Sequence, residues 1–109
     1  MDDGGSQERA RPTRLLIGKF GGKELQCPLF KDRLTIGRTR QNDIQLDAQF
    51  ISRRHAVIMS DEDGPRIIAW GSRNGVFVND LRISEQRLHS GDRVTIGTAE
   101  FVFEERQKR

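Results

Sequence analysis

Turn-forming residues punctuate this chain about every 8–12 positions, and the segments between them are short and apolar-alternating. Residues 15–20 form a β-type run that stops at Gly21-Gly22. Residues 25–29 and 34–36 follow, and then Ile44 and Leu46 alternate with polar neighbours. Residues 55–59 and 66–70 are separated by Asp61-Glu62-Asp63-Gly64-Pro65, a strong turn signal. Val76-Phe77-Val78 leads into Asn79-Asp80, two residue types that tolerate left-handed backbone and suit a tight hairpin. Arg82-Ile83, the Gly91-Asp92 turn, residues 93–96, Gly97 and Phe101-Val102-Phe103 complete the pattern. No convincing amphipathic helix interrupts it, and residues 85–88 offer at most one helical turn. Such spacing predicts an all-β sandwich or barrel. With alternate residues facing inward, the expected core is Leu15, Ile17, Leu34, Ile36, Ile44, Leu46, Val57, Ile67, Val94, Ile96 and Phe101.

A chain of 109 residues has room for one such core. Residues 1–13 hold Gly, Ser, Pro and charges with almost nothing apolar, so they are expected to form a disordered tail. The folded unit is expected over residues 14–105, with 106–109 as a frayed end. No apolar run approaches the roughly 18 residues of a spanning helix, and the first 14 residues lack the apolar segment of a secretory signal. One cysteine, Cys27, excludes an intrachain disulfide and a multi-cysteine metal site. The simplest setting is a reducing, cytoplasmic one.

Little here resembles catalytic machinery. His55 and His89 lie far apart, no acid–histidine pairing suggests a triad, and no phosphate-binding glycine fingerprint is present. The acidic run at 61–63 does not have the spacing of a calcium loop. The expectation is a protein that is not an enzyme and needs no metal or cofactor. Cys27 has no basic neighbour in sequence and nothing argues for a reactive thiol. Trp70 reads as a core or sheet-face residue.

Three polar segments fall where one strand gives way to the next: Gly37-Arg38, Ser52-Arg53-Arg54-His55 and Ser72-Arg73-Asn74-Gly75. Loops of a sandwich gather at its ends. One end could therefore bring together Arg38, Ser52, Arg53, Arg73 and Asn74. Guanidinium groups bind phosphate oxygens bidentately, and a hydroxyl adds a neutral donor. A phosphorylated side chain supplies about −1.5 to −2 charges and three acceptor oxygens. Arg53 and Arg54 are adjacent, so one faces the ligand, and Arg54 reads as the plain surface residue. Lys31 and Arg40 flank the site and could steer anions.

The order Gly37-Arg38, Ser52-x-x-His55, Asn74-Gly75 and Val78-Asn79 resembles the forkhead-associated (FHA) domain family. The closing stretch, Leu88-x-x-Gly91-Asp92-x-Val94-x-Ile96-Gly97 and Phe101-x-Phe103, is similar to that family's last strands. The resemblance covers residues 15–103. It implies a β-sandwich of about eleven strands with binding loops at one end, a recognition module for phosphothreonine without catalysis. It implies that Arg38 and Ser52 bond the phosphate, that Arg53 adds a contact, that Arg73 lines the pocket and that Asn74 holds the ligand main chain. Gly37, His55, Gly75 and Asn79 are implied as structural support: His55 ties loops together, Gly75 adopts a conformation other residues resist, and Asn79 shapes its turn and braces the binding loops. The implied partner is a phosphothreonine-containing protein, and a Ser/Thr kinase is implied with it. The domain could also form part of a larger multidomain regulator.

Three positions depart from the family pattern. Phe50 stands where some relatives carry a charged residue that reads the third position after the phosphothreonine, so an acidic preference there is not implied. Val76 and Asp80 replace a common Thr and Gly without removing a phosphate contact. Two competing readings remain open. One is a phospho-independent interaction or self-association surface. The other, less favoured, is a nucleic-acid-binding β-domain, prompted by the arginines and a sequence pI of about 9.6. The net charge of +3 is small for phosphate neutralisation, and the 6 Phe, mostly expected to be buried, and one Trp give few stacking platforms. A phosphorylated Thr13, in an arginine-flanked tail, could also occupy the groove of its own or a neighbouring domain.

Overall fold

The computed structural model describes residues 13–106. Eleven strands follow in chain order: β1 (Thr13–Phe20), β2 (Lys23–Pro28), β3 (Arg33–Gly37), β4 (Ile44–Gln45), β5 (Ala56–Asp61), β6 (Gly64–Ala69), β7 (Val76–Val78), β8 (Leu81–Ile83), β9 (Glu85–Arg87), β10 (Arg93–Ile96) and β11 (Ala99–Arg106). One sheet has the order β2-β1-β11-β10-β7-β8 and the other β4-β3-β5-β6-β9. Every pairing with a recorded register is antiparallel except β3 with β4. The predicted all-β sandwich is what the chain forms.

Side chains from the two inner faces fill the space between the sheets. Leu16, Leu34, Ile36, Leu46, Ile58, Ile67, Val76, Val94, Ile96 and Phe103 are the heart of this core, each 1% exposed or less. In β1 the predicted parity is off by one. Leu15, Leu16 and Ile17 are all apolar, so alternation alone cannot choose a face. Leu16 enters the core, Leu15 is buried outside it and Ile17 is half-buried. Val57 is likewise buried outside the core, while Ala56 and Ile58 point in.

Residues 85–88 do not form a helical turn. Glu85–Arg87 is an edge strand that pairs with Arg66, Ile67 and Ile68 of β6. A three-residue strand satisfies the outer backbone groups of β6, which a lone helical turn would leave open. Leu88 then drops into the core at 3% exposure. β1 and β11 each reach one residue beyond the bounds expected for the folded unit, with Thr13 opposite Arg106. Thr13 thus stands in a strand, not in a free tail, because β11 offers it a ladder partner. The expected disorder of the preceding residues and the fraying of 107–109 concern positions outside the described residues. Among the described residues no helix is long and apolar enough to cross a membrane.

The two sharpest turns follow their residue chemistry. Asn79 and Asp80 both have positive φ (51° and 71°), and they join β7 to β8 in the predicted two-residue hairpin. Between β5 and β6 the turn is tighter than its sequence implied. Only Glu62 and Asp63 lie outside the strands, and the Asp61 carboxylate accepts the Asp63 N–H at 2.9 Å. Arg87 also takes that carboxylate, at 3.1 Å. Together these bonds hold the Asp61 carboxyl below the usual range, the Asp63 N–H first and Arg87 after it.

Candidate functional site

β3 ends at Gly37, β5 begins at Ala56, β6 ends at Ala69 and β7 begins at Val76. Ile36 lies opposite Ala56, and Ala56 opposite Ala69, so these strand ends are level. The loops 38–43, 46–55 and 70–75 therefore leave the sandwich at one end. Between them runs an open groove. Arg38, Ser52, Arg53, Arg73 and Asn74, the five predicted contact residues, all line it. Asp47, Ala48, Gln49, Phe50 and Ile51 complete its wall.

The groove is held open by hydrogen bonds between its own loops. Arg38 N–H donates to the Ser52 carbonyl at 3.0 Å, and Arg38 Nε donates to the Ile51 carbonyl at 3.1 Å. The guanidinium is thus aimed by one nitrogen, and its other donors remain for a ligand. Asn74 Nδ2 donates to the Phe50 carbonyl at 2.9 Å, which joins the 70–75 loop to the 46–55 loop. Phe50 sits at φ 73°, unusual for a bulky residue, and its side chain is 60% exposed. The Asn74 bond to Phe50 and the Arg38 bond to Ile51 hold that strained turn in place. Ile51 itself is buried beside Gly97 in the β10–β11 turn, where a Cβ would come within 2.7 Å of the Ile51 side chain.

His55 is fully buried and links two loops. Ser52 N–H donates to His55 Nδ1 at 3.0 Å. Nδ1 is therefore the unprotonated nitrogen, and Nε2–H donates to the Gly75 carbonyl at 2.7 Å. Gly75 has φ 81°, a region that favours glycine, and this turns its carbonyl toward the ring. Burial pushes the His55 pKa below its ordinary value, and the Gly75 bond only partly opposes this. Protonation would also place a proton where the Ser52 N–H points. The unfolded chain takes up a proton on His55 near pH 6.5, and the native state resists it. Folding stability from this group is therefore complete above about pH 6.5 and falls as the pH drops through the native pKa below it. We expect urea midpoints to decline between pH 7 and pH 5, and His55→Gln to flatten that decline while lowering stability at pH 7. An unchanged slope would remove His55 as the titrating group.

Gly37 allows the closest backbone approach in the site. A Cβ there would lie 2.1 Å from the Arg53 carbonyl oxygen. Asn42, which the sequence reading passed over, is the bracket that fixes this approach. Its buried amide nitrogen contacts the Thr39 carbonyl at 3.0 Å, Thr39 Oγ1 at 3.1 Å and the Arg53 carbonyl at 2.8 Å. An Asn in a turn is a local signal, but its reach to Arg53 is tertiary. The neighbouring Asp43 accepts the Thr35 N–H at 2.8 Å and Lys31 Nζ at 2.9 Å, which clamps the base of the 38–43 loop. Those bonds, the Thr35 N–H first, hold its carboxyl below the usual carboxylate range.

Asn79 takes a different place from the one implied. Its Nδ2 donates to Asp92 Oδ1 and its Oδ1 accepts the Arg93 N–H, both at 3.0 Å. It shapes its turn, but it sits at the opposite end of β7 from Gly75 and bonds to the approach to β10, not to the groove loops. Trp70, the first residue after β6, is half-buried, with Arg33 and Arg54 over its ring. Cys27 is half-buried, and burial raises its thiol pKa, which disfavours the reactive thiolate. Among the described residues no group of three or more His, Cys, Asp or Glu could hold a metal ion.

The family model for the FHA domain matches residues 34–97. The chain belongs to the FHA domain family. It is similar to the ABC transporter ATP-binding/permease protein Rv1747 of Mycobacterium tuberculosis, with 43% identity over 62% of this chain and 8% of that protein. In structure it is similar to Mycobacterium tuberculosis EmbR in complex with a low affinity phosphopeptide. That likeness has a TM-score of 0.77 and 35% identity, and covers 89% of this chain and 25% of EmbR. It is also similar to the yeast Dun1 FHA domain in complex with a doubly phosphorylated (pT) peptide derived from Rad53. There the TM-score is 0.73 and the identity 29%, over 91% of this chain and 78% of the Dun1 domain. The chain spans about half or less of the length of several curated relatives.

Proposed function

We propose that this chain is a phosphothreonine-dependent interaction module. It binds phosphorylated segments of partner proteins in the groove and does so without catalysis, metal or cofactor. The observation that carries the reading is the gathering of Arg38, Arg53 and Arg73 with Ser52 and Asn74 along one groove, with no carboxylate among the described residues bonded to any of the three arginines. Five arginines elsewhere are neutralised: Arg14, Arg66, Arg87, Arg93 and Arg106 each pair with an acid. Cations left unpaired together in a cleft raise the local concentration of anions. The phosphopeptide complexes of the two similar structures support the same ligand class. Arg38 and Ser52 take the phosphate, Arg53 and Arg73 flank it, and Asn74 spends its free amide capacity on the ligand main chain. A cytoplasmic setting, where a Ser/Thr kinase makes the ligand, fits this role.

A few charge-assisted hydrogen bonds of about 1.5–3 kcal/mol each, offset by association and ordering entropy, give micromolar affinity, about −8 kcal/mol. Titration with a degenerate phosphothreonine peptide library tests the reading, with phosphoserine and unphosphorylated libraries as controls. We expect phosphothreonine to bind best, phosphoserine more weakly by the value of one methyl, about 1–3 kcal/mol, and the unphosphorylated library not at all. Equal binding of phosphorylated and unphosphorylated libraries would favour a phospho-independent surface instead. Two phenylalanines, Phe30 and Phe50, are exposed, more than the sequence implied, but they lie on different parts of the surface and form no stacking platform.

A further inference from the structure

Arg33 and Arg54 do not belong to the groove, and among the described residues neither has an acidic partner. Both guanidinium carbons lie over Trp70, at 5.4 Å and 5.1 Å from the ring. Contact with an indole face holds a guanidinium in position and leaves the N–H donors on its edge unused. The two arginines therefore resemble the groove arginines and differ from the five that are ion-paired. A pocket of about 180 Å³ opens beside them. Its one carboxylate, Asp43, is already committed to Lys31 and Thr35. Its Asn42 amide is committed to Thr39 and Arg53.

The pocket and the groove share a wall. Arg53 lines the groove, and Arg54, the next residue, lines the pocket. Asn42 lines the pocket while holding the Arg53 carbonyl. We propose that Arg33, Arg54 and Trp70 form a second anion site, which takes a phosphorylated or acidic residue of the same polypeptide that fills the groove. This rests on the phosphopeptide reading of the groove. An extended ligand advances about 3.3 Å per residue, so its second anion stands several residues from the phosphothreonine. The outcome is selection for partners that carry two anions at a set spacing.

Trp70 is the chain's one tryptophan, so its fluorescence reports on this patch. The test titrates the full chain with three peptide sets: one phosphothreonine, one phosphothreonine plus a second phosphothreonine, and one phosphothreonine plus a Glu pair. The second anion is placed at increasing distances on either side. We expect a gain of about threefold to tenfold at a favoured spacing, accompanied by a Trp70 fluorescence change larger than the singly phosphorylated peptide produces. The two doubly anionic sets decide between phosphate and carboxylate as the second anion. An R33A/R54A double variant, both positions exposed, should lose the gain and keep the affinity for the singly phosphorylated peptide. No gain at any spacing, or a gain that survives R33A/R54A, overturns the second site while the groove reading stands. No binding of the singly phosphorylated peptide to the unmutated chain overturns both. A Trp70 response to a short single-stranded RNA but to no anionic peptide also overturns the proposal and makes the patch a nucleic-acid contact.

Discussion

Arg38→Ala should abolish measurable phosphopeptide binding and leave the fold intact. The side chain is exposed, so its loss opens no cavity in the core. Its one hydrogen bond among the described residues, to the Ile51 carbonyl, lies at the groove. What disappears is a guanidinium whose Nε is already fixed and which lines the groove with its remaining donors available to the proposed ligand. Two charge-assisted bonds lost together amount to about 3 kcal/mol or more, a fall of at least about 100-fold in affinity. From a micromolar start, that places binding beyond ordinary titration. The measurement is isothermal calorimetry with a selected phosphothreonine peptide, alongside a thermal melt of the variant. A folded Arg38→Ala protein with unchanged affinity would show that the phosphate is held elsewhere.

Gly37→Ala should damage both stability and binding, because one methyl group enters the place where two loops touch. The added Cβ would meet the Arg53 carbonyl oxygen at 2.1 Å and its carbon at 2.8 Å. Both are backbone atoms, so no side-chain rotation relieves the clash. The 46–55 loop must move away, which breaks the Asn42 bracket on Arg53 and shifts Arg38 against Ser52. A cost of about 1–3 kcal/mol follows from overpacking, with more from the broken buried bond. A lowered melting temperature together with weakened phosphopeptide binding is the expected result. Native stability in this variant would mean the approach at Gly37 is slack.

The layout of the sandwich was legible because its turns are written in residue types with few alternatives. Asn79-Asp80 is such a case: both residues adopt the positive φ that their side chains tolerate. Where three apolar residues stand in a row, as at Leu15-Leu16-Ile17, the sequence carries no face label and only packing decides. β9 was hidden for the opposite reason. Glu85, Gln86 and Arg87 are polar and lie at a sheet edge, so their strand exists through pairing with β6 alone. The groove's lining residues were visible through the ordered spacing of their motifs. Their supports were less so: Asn42 acts on a residue eleven positions away, and Asn79 braces the approach to β10 where the family pattern had suggested the groove.

The groove's internal wiring has a consequence for the time scale of recognition. Arg38, Asn74, His55 and Asn42 bond to loop backbone within the protein itself. A peptide that arrives finds the loops already set and loses little loop entropy of the protein in docking. Encounter is then governed by diffusion and by the arginine field, which differ little from one phosphorylated sequence to another. Discrimination between partners falls on how long each stays. A domain built this way sorts its ligands by residence time.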